Sequence, residues 1–134
     1  MSSQQKVAKI RLLYVDDEVD ILKVVKRGLE YEGDFAVDVT DSAKNLIGLS
    51  TEELSTYNLI ILDIRMPKLD GFELYDILRD RIDPSRTKIC FFTAYHSYQN
   101  EYRKLFSGWN DDCFIAKPIS IKAFAEIIRR LVSA

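Results

Sequence analysis

Five side chains in this chain combine residue types and placement suited to phosphoryl chemistry: Asp16, Asp17, Asp63, Thr93 and Lys117. Asp63 ends the apolar run Leu59–Leu62 and precedes Ile64-Arg65-Met66-Pro67 and the turn pair Asp70-Gly71. Four consecutive large apolar residues suit a central strand buried on both faces. A carboxylate just beyond such a strand falls where open α/β sheets bind ligands, in the crevice outside the strand ends. The other candidates also follow apolar runs: Asp16-Asp17 after residues 10–15, Thr93 after 88–92, and Lys117 after 113–116. Three carboxylates brought together repel one another, so such a cluster calls for a compensating cation. Hard oxygen donors favour Mg²⁺, which keeps several waters and takes one or two carboxylates plus phosphate oxygens. Lys117 offers a point charge and Thr93 a hydroxyl for phosphoryl oxygens, while a carboxylate can itself be the nucleophile.

The elements that must position these groups can be read from apolar periodicity. Residues 10–15 read as a mostly buried strand, and Ile21, Leu22, Val25, Gly28 and Leu29 then recur at helical spacing up to Gly33. Residues 35–39 alternate and carry Asp38 in their middle, which suits an edge strand. Asp41 or Ser42 can cap a second helix through Ala43, Leu46, Ile47 and Leu49, expected to fray at residues 50–53. After the central strand, Asp70-Gly71 opens a third helix with a narrow stripe of Leu74, Ile77 and Leu78, and Asp83-Pro84 ends the segment. A fourth strand covers 88–92. Tyr95, Tyr98, Tyr102 and Leu105 or Phe106 then mark a helix closed by Gly108, and 113–116 makes a short fifth strand. Ser120 can cap a last helix bearing Ile121, Phe124, Ile127, Ile128 and Leu131. Strict alternation of five strands and five helices implies a doubly wound α/β fold with a five-stranded parallel sheet and helices on both faces. All strand carboxyl ends then share one edge, and the five candidate groups converge there.

A chain of 134 residues makes one domain, large enough to bury about 68–70% of its unfolded surface. With 47% apolar and 30% charged residues it has the composition of a soluble globular domain. Nineteen basic against 21 acidic side chains give a net charge of −2, which argues against direct nucleic-acid or membrane binding. No apolar run approaches a membrane span, and the polar first six residues lack a secretory signal, so a cytoplasmic location is expected. Cys90 and Cys113 lie in apolar segments without metal-ligand spacing and are expected to be buried free thiols. His96 has no partner at a catalytic spacing and reads as an exposed loop or helix-start residue.

Taken in order, Asp16-Asp17, Asp63 with Met66-Pro67 and Asp70-Gly71, Thr93-Ala94, and Lys117-Pro118 resemble the receiver domain of two-component response regulators over nearly the whole chain. The resemblance implies the flavodoxin-like strand order 2-1-3-4-5, with residues 1–8 as a flexible tail and 9–134 as the receiver. Asp63 would accept a phosphoryl group from a histidine kinase or phosphotransfer protein. Asp17, Asp63 and the backbone carbonyl of Arg65 would ligate Mg²⁺, with Asp16 acting through water. Lys117 would pair with the phosphoryl group and Thr93 would move to bond it. Phe114 matches the aromatic that turns inward with Thr93, and the Lys117-Pro118 bond one that is cis in the family. Arg65 and Tyr95 occupy positions that tune dephosphorylation, and both are bulky here. The helix after Thr93, with the fifth strand and last helix, would form the face that binds a downstream target. Tyr98 and Tyr102 are candidates for that surface, since aromatic side chains are enriched at interfaces.

Bland readings stand beside these. Acids after strands often cap helices, which suits Asp16 or Glu18 taken alone. Phe114 and at least half of the rings between Tyr95 and Trp109 can be ordinary core. Two other functions share the pattern. A Mg²⁺-dependent aspartyl-phosphate phosphatase would use the same nucleophile, but that class characteristically has a second Asp where Arg65 stands. A phosphorylation-independent interaction module would be expected to lack one of the acid, Thr or Lys positions. The receiver is expected to be regulatory rather than an enzyme, acting alone or attached to an effector.

Overall fold

The computed structural model describes residues 8–66, 69–94, 104, 113–117 and 119–133. Five parallel strands form one sheet: β1 (Ile10–Val15), β2 (Phe35–Thr40), β3 (Leu59–Leu62), β4 (Lys88–Thr93) and β5 (Phe114–Ala116), in the order β2-β1-β3-β4-β5. Five helices lie among the described residues: α1 (Val19–Tyr31), α2 (Ala43–Ile47), α3 (Thr51–Ser55), α4 (Gly71–Leu78) and α5 (Ile121–Ser133). β3 is central because all four of its side chains are apolar and fully buried, as a strand covered on both faces requires. β2, with its exposed mid-strand Asp38, lies at one margin as its alternation predicts.

Period-two alternation along the strands divides the core into two layers. On one face Leu12, Tyr14, Leu59, Ile61, Cys90, Phe92 and Ile115 pack against Leu22, Val25 and Leu29 of α1 and Phe124, Ile128 and Leu131 of α5. On the other, Leu13, Val15, Ile60, Leu62 and Phe91 meet Leu46, Leu54 and the α4 residues Leu74, Tyr75 and Leu78. Both cysteines are free and buried, as expected, and burial pushes the Cys90 thiol well above its ordinary pKa.

Two sequence expectations need correction. Residues 50–53 do not fray. The second helix stops at Gly48, and Ser50 starts a separate one through a capping box, its hydroxyl accepting from the Glu53 N–H while Glu53 accepts from the Ser50 N–H. In α4, Ile77 is 39% exposed and Tyr75 takes its place inside. The buried stripe is Gly71, Leu74, Tyr75 and Leu78, the i, i+3, i+4, i+7 set counted from the first helical residue. The helix also ends at Leu78, before Asp83-Pro84. The expected tail, His96, the helix after Thr93, Pro67 and Pro118 lie outside the described residues, apart from Ala8 and Lys104.

Candidate functional site

Parallel register delivers the chemical groups to one edge. Val15 pairs with Leu62, and Thr93 with Ala116, so Asp16, Asp63, Thr93 and Lys117 stand at adjoining strand ends. Backbone bonds extend the ladder through them: Asp63 N–H donates to Val15 O at 3.0 Å, Asp16 N–H to Thr40 O at 3.2 Å, and Lys117 N–H to Thr93 O at 2.8 Å. α4 holds the loop after Asp63 from the other side, where Gly71 N–H donates to Ile64 O at 2.8 Å. A Cβ on Gly71 would fall 2.4 Å from the Asp63 carbonyl oxygen and 2.9 Å from Ile64 Cα, so this close approach needs glycine.

The carboxylates of Asp16, Asp17, Glu18 and Asp63 bring one oxygen each within 4.8 Å of one another. Glu18, which sequence reading treated only as a cap candidate, is thus a fourth member. It occupies the N-cap position of α1 without a side-chain cap bond. Asp16 does not act as the cap residue either: its Oδ1 accepts from the Glu18 N–H at 3.0 Å, which fixes the turn out of β1.

Asp16 is fully buried, and its Oδ2 accepts from both the Tyr14 hydroxyl at 2.5 Å and Lys117 Nζ at 2.6 Å. Lys117 Nζ is also 3.6 Å from Asp63 Oδ2 and 5.3 Å from the centre of the Phe92 ring. Tyr14 belongs to the site although it was read only as a strand residue. The available signal was its spacing, since residues two apart on a strand share a face and Tyr14 precedes Asp16 by two. Burial, together with the Asp16 carboxylate, pushes the Tyr14 hydroxyl far above its ordinary pKa, so it is a neutral donor.

Asp63 is 5% exposed. Burial, then the charge of Asp16, raises its pKa to about 6, against the opposing pull of Lys117 and hydrogen bonds from Ile64 and Thr93. Lys117 pairs with two of the four carboxylates, Asp16 and Asp63, and the clustered donors are all hard oxygens. That donor set is consistent with a Mg²⁺ site.

The structure therefore brings together Asp16, Asp17, Asp63, Thr93 and Lys117. Arg65 is exposed in the loop two residues after Asp63. Phe114 is half-buried against Phe91, ring centres 6.1 Å apart, in the layer with α4. Tyr95, Tyr98 and Tyr102 lie outside the described residues. No helix among the described residues is long and apolar enough to cross a membrane.

Comparison with known proteins gives the same reading. The family model described as "Response regulator receiver domain" matches residues 12–129. An uncharacterized 14.6 kDa protein of Leptolyngbya boryana is 33% identical over 115 residues, covering 86% of this chain and 84% of that protein. The response regulator Rre1 of Synechocystis is 31% identical over 124 residues, 92% of this chain, and the transcriptional regulatory protein SpaR of Bacillus subtilis 33% over 112 residues, 84% of this chain. The matches cover 52% of Rre1 and 47% of SpaR, so the chain spans about half of either relative. Among solved structures, the response regulator TrrA of Thermotoga maritima in complex with Mg²⁺–BeF is 26% identical with a TM-score of 0.73, covering 90% of this chain and 97% of that one. The Francisella response regulator 1452 receiver domain is 27% identical with a TM-score of 0.74, covering 93% and 98%. With fold, acidic pocket and family model in agreement, the chain belongs to the response regulator receiver domain family.

Proposed function

We propose that the chain is a phosphorylation-controlled signalling receiver whose Asp63 takes a phosphoryl group from a histidine kinase or phosphotransfer protein. The observation that carries the reading is Asp63 itself, a buried carboxylate at the end of the central strand, facing Lys117 at 3.6 Å and grouped with Asp16, Asp17 and Glu18. In the transfer, a carboxylate oxygen of Asp63 forms a bond to phosphorus. The phosphorus–nitrogen bond of a phosphohistidine donor breaks, and the imidazole leaves with the electron pair. Lys117 orients the phosphoryl group and offsets its charge, and Thr93 donates its hydroxyl to a phosphoryl oxygen.

Asp17, Asp63 and the Arg65 carbonyl would hold Mg²⁺, with Asp16 acting through water. When bound, the ion supplies charge neutralisation at the phosphoryl oxygens. Thr93 and Phe114 form the switch, passing the phosphorylated state to the face that carries Tyr98, Tyr102, β5 and α5. A protein target reads that face, and substitution of Tyr98 or Tyr102 weakens target binding without changing phosphorylation.

Intact mass spectrometry after incubation with acetyl phosphate and Mg²⁺ tests the reading. One phosphoryl adduct is expected on the wild-type chain and none on Asp63→Ala. Absence of an adduct on wild type, with a phosphotransfer donor as well, would turn the reading toward a phosphorylation-independent interaction module. Turnover of small phosphate esters would instead point to the phosphatase.

A further inference from the structure

Lys117 is bonded to the wrong carboxylate for its role in the receiver reading. Its ammonium sits 2.6 Å from Asp16 Oδ2 but 3.6 Å from Asp63 Oδ2, and it is only 11% exposed. To reach a phosphoryl group on Asp63 it must give up Asp16. Asp16 is fully buried, so when Lys117 leaves, Oδ2 loses its charged donor where bulk water does not replace it, which is costly unless another donor remains.

The same oxygen already has a second donor. Tyr14 is fully buried and places its hydroxyl 2.5 Å from Asp16 Oδ2. Its ring is held by the sheet face, 5.9 Å from Phe92, which in turn stacks at 4.4 Å on Phe124 of α5. A tyrosine fixed in this way cannot follow Lys117 when the ammonium moves. The geometry points to Tyr14 as a positioning residue that keeps Asp16 Oδ2 hydrogen-bonded while Lys117 transfers from Asp16 to the phosphoryl group on Asp63.

This inference rests on the receiver reading and deepens it. Tyr14 touches neither the reacting atoms nor Asp63 in the described contacts; it acts through Asp16. Its loss should therefore weaken the phosphorylated geometry more than the resting one. Phenylalanine at position 14 keeps the ring packing on Phe92 and removes only the donor, which separates this role from a role in the core.

The test is binding of beryllofluoride, a phosphoryl stand-in, in the presence of Mg²⁺, followed by fluorine NMR, alongside calorimetry with Mg²⁺ alone. Tyr14→Phe is expected to bind beryllofluoride about tenfold more weakly than wild type, the low end of the loss seen when a supporting partner is removed from a ligand carboxylate. Its affinity for Mg²⁺ alone should change by less than about threefold, because without a phosphoryl stand-in Lys117 stays on Asp16 Oδ2 and the carboxylate keeps a donor. Adding Asp16→Asn removes the carboxylate through which Tyr14 acts, so relative to Asp16→Asn alone the same substitution should cost less than about threefold.

Equal beryllofluoride affinity in Tyr14→Phe and wild type would overturn the proposal. So would a tenfold loss that persists beside Asp16→Asn, because Tyr14 would then act through packing. A wild-type chain that takes up no beryllofluoride would remove the receiver chemistry and this inference together. That result is distinct, since it appears before any substitution is made.

Discussion

Lys117 Nζ lies 2.6 Å from Asp16 Oδ2, the fully buried acid, and a full ångström farther from Asp63. The ion pair thus neutralises the fully buried carboxylate and leaves Asp63 the less compensated of the two. Lys117→Met, which keeps most of the side-chain volume, is expected to cost about 3 kcal/mol of stability, because it breaks a buried pair from one side only. Urea unfolding at neutral pH measures it. The same variant should form little adduct with acetyl phosphate even under conditions where it is folded.

Asp63 gives the fold a pH dependence of definite sign. Its pKa in the folded chain is raised to about 6, mainly by burial, whereas an unfolded aspartate titrates near 3.9. Between those values the folded state holds the proton more tightly, so stability falls as pH rises through the window. Above it, the ionised carboxylate costs about 3 kcal/mol. Asp63→Asn should therefore be more stable than wild type in metal-free buffer at pH 7.5, with the difference shrinking to near zero at pH 4. Thermal melts across that range would show it, and a gap that does not close on acidification would contradict the assignment.

Gly71 and Gly28 make a controlled pair. An added methyl at Gly71 meets backbone atoms of Asp63 and Ile64, which cannot move without moving the acceptor. At Gly28 the nearest atoms it meets are all side-chain atoms of Ile121, Cγ1 at 2.8 Å, Cδ1 at 3.0 Å and Cγ2 at 3.1 Å, so the crowding falls on a side chain packed against the core and not on the backbone beside Asp63. Gly71→Ala is expected to cost about 1–3 kcal/mol and to slow labelling by acetyl phosphate. Gly28→Ala should cost about 1 kcal/mol, since gained helix propensity offsets part of the crowding, and should leave the labelling rate unchanged. Chemical denaturation and a labelling time course distinguish the two.

The convergence of Asp16, Asp63, Thr93 and Lys117 was legible in the sequence because each follows an apolar run, and a parallel sheet sends all such ends to one edge. The strand order came from the receiver resemblance that those residues carry, and the edge position of β2 from its alternation around Asp38. Contacts between side chains were not. Nothing in the chain's periodicity tells that Lys117 sits on Asp16, and the spacing that puts Tyr14 and Asp16 on one face does not tell that they bond. Ile77 was misplaced because an eight-residue helix carries too few apolar positions to fix its phase, and Gly71 contributes no hydropathy signal to set it. The break between α2 and α3 was missed although Ser50 and Glu53 carry the capping-box spacing, because Leu46, Ile47 and Leu49 ran up to it as one pattern.

Arg65 is exposed beside the acceptor strand's end, where a long side chain can screen an acyl phosphate from water. Arg65→Ala is expected to shorten the lifetime of the phosphorylated state severalfold, and Tyr95→Ala to do likewise. Decay of the adduct by mass spectrometry, after removal of the donor, reads both. An unchanged hydrolysis rate in both variants would remove the shielding role.

Reduction with borohydride tests the central claim most directly, because an aspartyl phosphate, unlike a free carboxylate, is reduced to homoserine. The wild-type chain would be incubated with acetyl phosphate and Mg²⁺, reduced, digested and sequenced by mass spectrometry. The account predicts homoserine at position 63 alone, dependent on both reagents. Homoserine at Asp16 or Asp17, or none at any position while a phosphotransfer donor is also supplied, would contradict it.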